Sequence, residues 1–155
     1  MWNKKSSVIL SLVICFIFLI VLTTFVFLGP WFFKLWLTVY RGWKDDSVSL
    51  YHMIRLFKIA FYPCSIFGYI TLYSLIRLLF NIKNEHIFID KNVKYLRRIS
   101  WSCIVVAFIT LISGFFYIPY SFIAVAAGFI GLMLRVVKNA FQNAVALREE
   151  NELTI

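Results

Sequence analysis

Residues 8–28, VILSLVICFIFLIVLTTFVFL, contain no charged side chain. That run limits what the chain can become more than any other feature. A secretory signal has an apolar core of about 7–15 residues that ends at a small-residue cleavage site. This run is longer and leads into Gly29-Pro30-Trp31. It therefore reads as a helix that crosses a bilayer, which takes about 20 apolar residues. Three further runs of the same kind follow, at about 59–80, 101–118 and 121–137. Hydrophobic residues make up 62% of the 155, against about 45–50% in soluble domains, so little chain is left for a second domain. The expectation is an all-α integral membrane protein, a single domain over residues 1–155 with four transmembrane helices.

Residues 81–100, NIKNEHIFIDKNVKYLRRIS, separate the second run from the third and carry Lys83, Lys91, Lys94, Arg97 and Arg98. Dense basic loops between spans are retained in the cytoplasm. Holding this loop inside puts both termini in the cytoplasm and the other two connections outside. Lys4, Lys5, Arg77, Arg135, Lys138 and Arg148 then also fall on the inner side, against Lys34, Arg41, Lys44, Arg55 and Lys58 on the outer. The net charge of +9 is accounted for by this orienting role and by contact with the anionic lipid bilayer. No direct contact with nucleic acid is expected.

The first outer segment, residues 30–58, opens PWFFKLWLTVYRGW. Trp and Tyr favour the headgroup level, and Phe32, Phe33, Trp36, Val39 and Tyr40 share one face at helical spacing. An interfacial aromatic helix lying in the membrane plane is expected in this loop. Asp46 or Ser47 is placed to cap the next helix, which would include residues 48–58 and continue into the second span. His52, Arg55 and Lys58 form an outward cationic stripe. With Trp31, Trp36 and Trp43 they make up the candidate outer interface, which either receives an extracellular peptide or anionic headgroup or serves as an anchoring belt. Pro63 is expected to kink the second span.

On the inner side, Asp90 precedes KNVKYLRRISW. Asp is a favoured N-cap and sets its charge at the positive end of the helix dipole, so the third helix is expected from about Lys91. Pro119 disfavours helical geometry in the residue before it, which puts a tight outer turn at residues 117–121 and starts the fourth span at about Ser121. Ala124, Ala127, Gly128 and Gly131 give small-xxx-small spacings, the expected helix-packing seam, either within the subunit or in a homo-oligomer. The fourth helix is expected to leave the membrane unbroken into cytoplasmic residues 138–155. It should fray after about Leu147, where Glu149, Glu150 and Glu152 oppose the dipole. Those three acids and Lys91, Lys94, Arg97 and Arg98 form the candidate cytoplasmic interaction site.

Reactive chemistry is sparse. No Asp or Glu lies within an expected span, which disfavours ion-coupled transport. Phosphate-binding glycine loops, HExxH and GxSxG are absent from the sequence. His52 and His86 fall on opposite sides of the membrane. Cys15, Cys64 and Cys103 each sit alone in an apolar run without a CxxC partner, and read as small apolar packers. Neither an enzyme nor a protein with a metal or cofactor is expected.

Two segments carry a family resemblance. IFIDKNVKYLRRISW after the second span and VVKNAFQNAVALREENELTI at the end resemble the domain of unknown function 2975 family, small four-span bacterial membrane proteins. Members often end in a Glu-Glu-Asn-acid-Leu-Thr-Ile tail, which here reads Glu149-Glu150-Asn151-Glu152-Leu153-Thr154-Ile155. The resemblance implies a multi-pass topology in the bacterial cell membrane and no particular chemistry. The family's genes often accompany a small helix-turn-helix regulator, which implies a cytoplasmic DNA-binding partner. Two functions are carried forward: a signalling or regulatory membrane partner of such a regulator, and an immunity or resistance protein against a membrane-active peptide.

Overall fold

The computed structural model of the chain describes residues 4–42, 48–85, 87 and 89–153, without the side chains at positions 4, 5, 41, 149, 152 and 153. The expected cap at Asp46 or Ser47, together with Trp43 and His86, lies outside the described residues, as do the side chains of Glu149 and Glu152. Among the described residues there are four helices: α1 (Lys4–Arg41), α2 (Val48–Lys83), α3 (Asp90–Gly114) and α4 (Pro119–Leu153). Each contains a stretch long and apolar enough to cross a membrane.

Their large apolar side chains point outward. Phe27 is 78% exposed, Phe122 75% and Val136 70%. Water would penalise such a surface, whereas lipid tails are as apolar as the side chains themselves. The helices also satisfy their own backbone amides, as a bilayer demands. The chain is a multi-pass membrane protein.

α1 has 38 residues, a rise of about 57 Å at 1.5 Å per residue, well beyond the roughly 30 Å hydrocarbon layer. The aromatic stretch is therefore helical, but it is not the separate helix expected of the first loop. It forms the last turns of α1, which runs on through Pro30. Tertiary contact explains the continuity. Phe33 stacks on Phe57 of α2 with ring centroids 4.3 Å apart, and Leu37 is 1% exposed, so these turns are held against α2. Gly42 ends the helix in the left-handed region, φ +65°, where a glycine carries no Cβ penalty. α2 also stays one helix through Pro63.

The third helix begins one residue earlier than expected. Ile89, extended at φ −134° and ψ 148°, occupies the cap position and supplies no side-chain bond. Asp90 lies in the first turn, where its charge still favours the dipole. The turn between α3 and α4 falls at residues 115–118, closed by the amides of Phe116 and Tyr117, both donating to the Ser113 carbonyl at 3.1 Å. α4 then starts on Pro119, because the first helical position needs no amide donor. It continues past the expected fraying point to Leu153. The helix propensity of Ala, Leu, Arg and Glu in its last turns outweighs a dipole penalty of about 0.3–1 kcal/mol.

α1 packs on α2, α2 on α3, and α3 on α4, and among the described residues no other pair of helices brings its backbones close. The α3–α4 contact is the most extensive. Small residues cause this. Ala124 and Gly131 are buried, and a Cβ on Gly131 would lie 2.9 Å from Ile104 Cγ1. Near the α3–α4 turn, Gly114 leaves room for the Ser121 side chain and backbone. The row of helices bends around an apolar cavity of about 530 Å³ to which all four contribute, including Leu22, Phe61, Cys103 and Ala127.

Candidate functional site

The two ends of the molecule are built differently. At the end that holds residues 81–100, the connection is organised by one buried amide. Asn92 is fully buried. Its Nδ2 donates to the Ile87 carbonyl at 2.7 Å, and its Oδ1 accepts from Asn81 Nδ2 at 2.7 Å. The last turn of α2, the loop and the first turn of α3 are thus tied to one side chain. Glu85 turns the chain out of α2 with φ +63°. In sequence Asn92 is one polar residue among Asp90, Lys91 and Lys94, and its role was missed. The signal available was a second Asn at the end of the preceding helix.

With α3 fixed this way, Val93, Leu96 and Ile99 face inward and are buried, while Lys91, Lys94, Arg97 and Arg98 are exposed. The α3 period sorts apolar from charged, as helical spacing requires. Lys94, Arg97 and Arg98 line a groove of about 560 Å³ between α2 and α3. Arg97 also lines a smaller cavity of about 300 Å³ with Arg135 and Lys138 of α4. The structure thus groups part of the candidate cytoplasmic set with two α4 cations that were read as flanking charges only. Of the acidic members, Glu150 is exposed on the last turns of α4.

The opposite end is an aromatic cluster. Phe33 and Trp36 from α1, Phe57 and Phe61 from α2, Tyr117 from the α3–α4 connection and Tyr120 from the first turn of α4 meet there. Phe57 stacks on Phe61 at 5.0 Å, and Tyr117 stands edge-on to Phe33 at 6.2 Å and to Trp36 at 6.3 Å. Offset-stacked and edge-to-face pairs of this kind suit the ring quadrupole. The five aromatic-face residues therefore divide. Phe33 is half-buried and Trp36, 37% exposed, still meets Tyr117, while Phe32, Val39 and Tyr40 are 50%, 67% and 76% exposed. Among the remaining outer candidates, Trp31 is 58% exposed, and His52, Arg55 and Lys58 are all exposed on the first turns of α2.

Between the ends the molecule is chemically plain. Tyr69 of α2 donates to Thr23 Oγ1 of α1 at 3.0 Å. Cys15, Cys64 and Cys103 are free thiols. Among the described residues, no group of three or more His, Cys, Asp or Glu side chains is placed to hold a metal. What the arrangement offers is anion binding at the basic end and apolar contact elsewhere.

Residues 3–155 match the family described as Protein of unknown function (DUF2975), essentially the whole chain, and the chain belongs to that family. No curated protein and no solved structure matches it.

Proposed function

We propose that this family member is a regulatory membrane protein of the bacterial cell membrane, a partner of a cytoplasmic helix-turn-helix regulator, with both termini in the cytoplasm and no catalytic activity. One observation carries the reading. α4 is a single helix of 35 residues, about 52 Å long at 1.5 Å per residue, and it packs along α3. It starts beside the aromatic cluster and ends in the Glu149–Glu150–Glu152 tail. A displacement at the aromatic end therefore reaches the other end without a flexible joint. There Lys91, Lys94 and Arg98 and the acidic tail are the elements a soluble partner would read.

Topology is tested with reporter fusions at Asn84 and after Ile155, which should both report cytoplasm, and at Asp46, which should report the exterior. An exterior signal at Asn84 overturns the orientation. Function is tested by deleting residues 149–155, which no insertion rule requires. Membrane abundance should be unchanged, and capture of the regulator or its transcriptional output should change. A truncated protein that behaves as wild type in both assays removes the regulatory reading.

The second reading, immunity against a membrane-active peptide, draws on the exposed Trp31, His52, Arg55 and Lys58 at one end of the molecule. It predicts that Arg55→Glu with Lys58→Glu abolishes protection of cells challenged with the peptide, with the tail intact.

A further inference from the structure

Arg97, Arg135 and Lys138 line one cavity with Ser100 and Trp101. It lies where the apolar stretches of α3 and α4 give way to charge. No carboxylate lines it among the described residues. Three like charges around one cavity repel one another unless an anion sits between them.

One of the cations, Arg135, is also held in place. The Arg135 guanidinium lies over the Trp101 ring, 5.1 Å from its centroid, a favourable cation–π distance. Beside it on α3, the Ser100 hydroxyl donates to the Gly131 carbonyl of α4 at 2.8 Å. That bond sets the register of the two helix faces and occupies the hydroxyl proton. The charged donors at the cavity are the guanidinium and ammonium groups, which bind phosphate oxygens well.

The same Arg97 and Trp101 also line the larger groove between α2 and α3. Along α3 its lining passes from Lys94 and Arg98 to Val105, and α2 adds Phe67 and Ile70. Cations therefore stand at one level, and an apolar channel leads from them into the span. A free phosphate would use only the charges. A zwitterionic lipid would bring an ammonium group up to the same cations. A lipid with a net negative headgroup satisfies both parts, and basic pockets between transmembrane helices take such headgroups.

We propose that this site binds an anionic phospholipid, with the phosphodiester between Arg97, Arg135 and Lys138 and an acyl chain along Phe67, Ile70 and Val105. The site does not depend on the regulatory reading, and its test uses no regulator.

The full chain, purified in a neutral detergent and stripped of lipid, is titrated with phosphatidylglycerol, phosphatidylcholine or inorganic phosphate. Native mass spectrometry and thermal unfolding follow binding. Phosphatidylglycerol should stay bound and raise the unfolding temperature, and the other two should do neither at the same concentration. Arg135→Gln with Lys138→Gln should weaken phosphatidylglycerol binding more than tenfold, at roughly fivefold per charge removed. Arg135→Lys should keep most of it, and Lys58→Gln at the other end should change nothing. Equal binding of the two lipids by the unaltered chain overturns the proposal and needs no variant. So does undiminished binding by the folded double variant. Stabilisation by inorganic phosphate equal to that by phosphatidylglycerol would reduce the site to a soluble-anion site and overturn the lipid assignment.

Discussion

Gly131→Ala and Gly128→Ala add the same methyl group to the same helix, one turn apart, and should shift stability in opposite directions. A Cβ at position 128 would lie 3.6 Å from Ala107 Cβ, an ordinary van der Waals contact. The substitution there mainly removes the helix penalty of glycine, about 1 kcal/mol. A Cβ at position 131 would lie 2.9 Å from Ile104 Cγ1 and 3.3 Å from both Cys103 Cβ and the Ile104 amide nitrogen. Cγ1 of a β-branched residue cannot swing aside, because its χ1 is restricted, and the backbone nitrogen moves only with the helix. α3 must back away. Overpacking of this kind costs about 1–3 kcal/mol. It also stretches the 2.8 Å bond from Ser100 to the Gly131 carbonyl, a bond that contributes about 1 kcal/mol.

Net of the propensity gain, Gly131→Ala should destabilise the protein by about 1–3 kcal/mol, and Gly128→Ala should stabilise it by up to about 1 kcal/mol. The assay is reversible unfolding of the detergent-solubilised protein by dodecyl sulfate, read by circular dichroism. A Gly131→Ala variant as stable as wild type would refute the reasoning. Equal losses at the two positions would refute it too, because they would show that the seam lacks the depth difference on which the argument rests.

Asn92→Ala should destabilise by about 2–3 kcal/mol, since Asn81 Nδ2 and the Ile87 carbonyl both lose their partner; the same unfolding assay measures it, and hydrogen exchange should rise in residues 84–89. Glu85→Gly should stabilise by about 0.5–1 kcal/mol, because φ +63° strains a residue with a Cβ and not glycine; an unchanged or lowered midpoint would count against a strained turn.

Sequence carried the architecture because length and charge act at the scale of whole spans. An uncharged run such as 8–28 has few soluble alternatives, and Pro119 marks a hairpin within two residues. The failures arise where a distant contact decides. Pro30 followed by aromatics reads as the end of a span, yet the stacking of Phe33 on Phe57 holds the helix together beyond it. Asp90 has the composition of an N-cap, yet the first turn of α3 is anchored through Asn92, whose partners lie in other elements. The glycine spacing in α4 pointed to a seam but could not rank Gly128 against Gly131, because the ranking depends on Cys103 and Ile104 across the interface. Trp101 and Arg135 are each ordinary boundary residues in sequence. Their pairing follows from the α3–α4 register, which periodicity does not encode.

The closeness of the contacts varies along the row of helices, and this decides where it can move. α3 and α4 meet through glycines, with a backbone nitrogen 3.3 Å from where a Gly131 Cβ would stand and a buried hydrogen bond at Ser100. Such a close-packed seam resists sliding of one helix on the other. α1 meets α2 through larger groups: Phe33 on Phe57, the Phe61 ring over Gly29 and one hydroxyl bond at Tyr69. That pair is also linked, by interlocking rings. Between α2 and α3 lie the groove that reaches Lys94, Arg97 and Arg98 and, at one end, the Asn81–Asn92 bond. Any shift of one pair against the other would therefore change this groove and load the Asn81–Asn92 bond. An acyl chain between Phe67 and Val105 would occupy the space through which the pairs close. The proposed lipid site and the proposed regulatory output would then respond to the same shift, so Asn92→Ala should disturb both, whereas deleting residues 149–155 should disturb only the output.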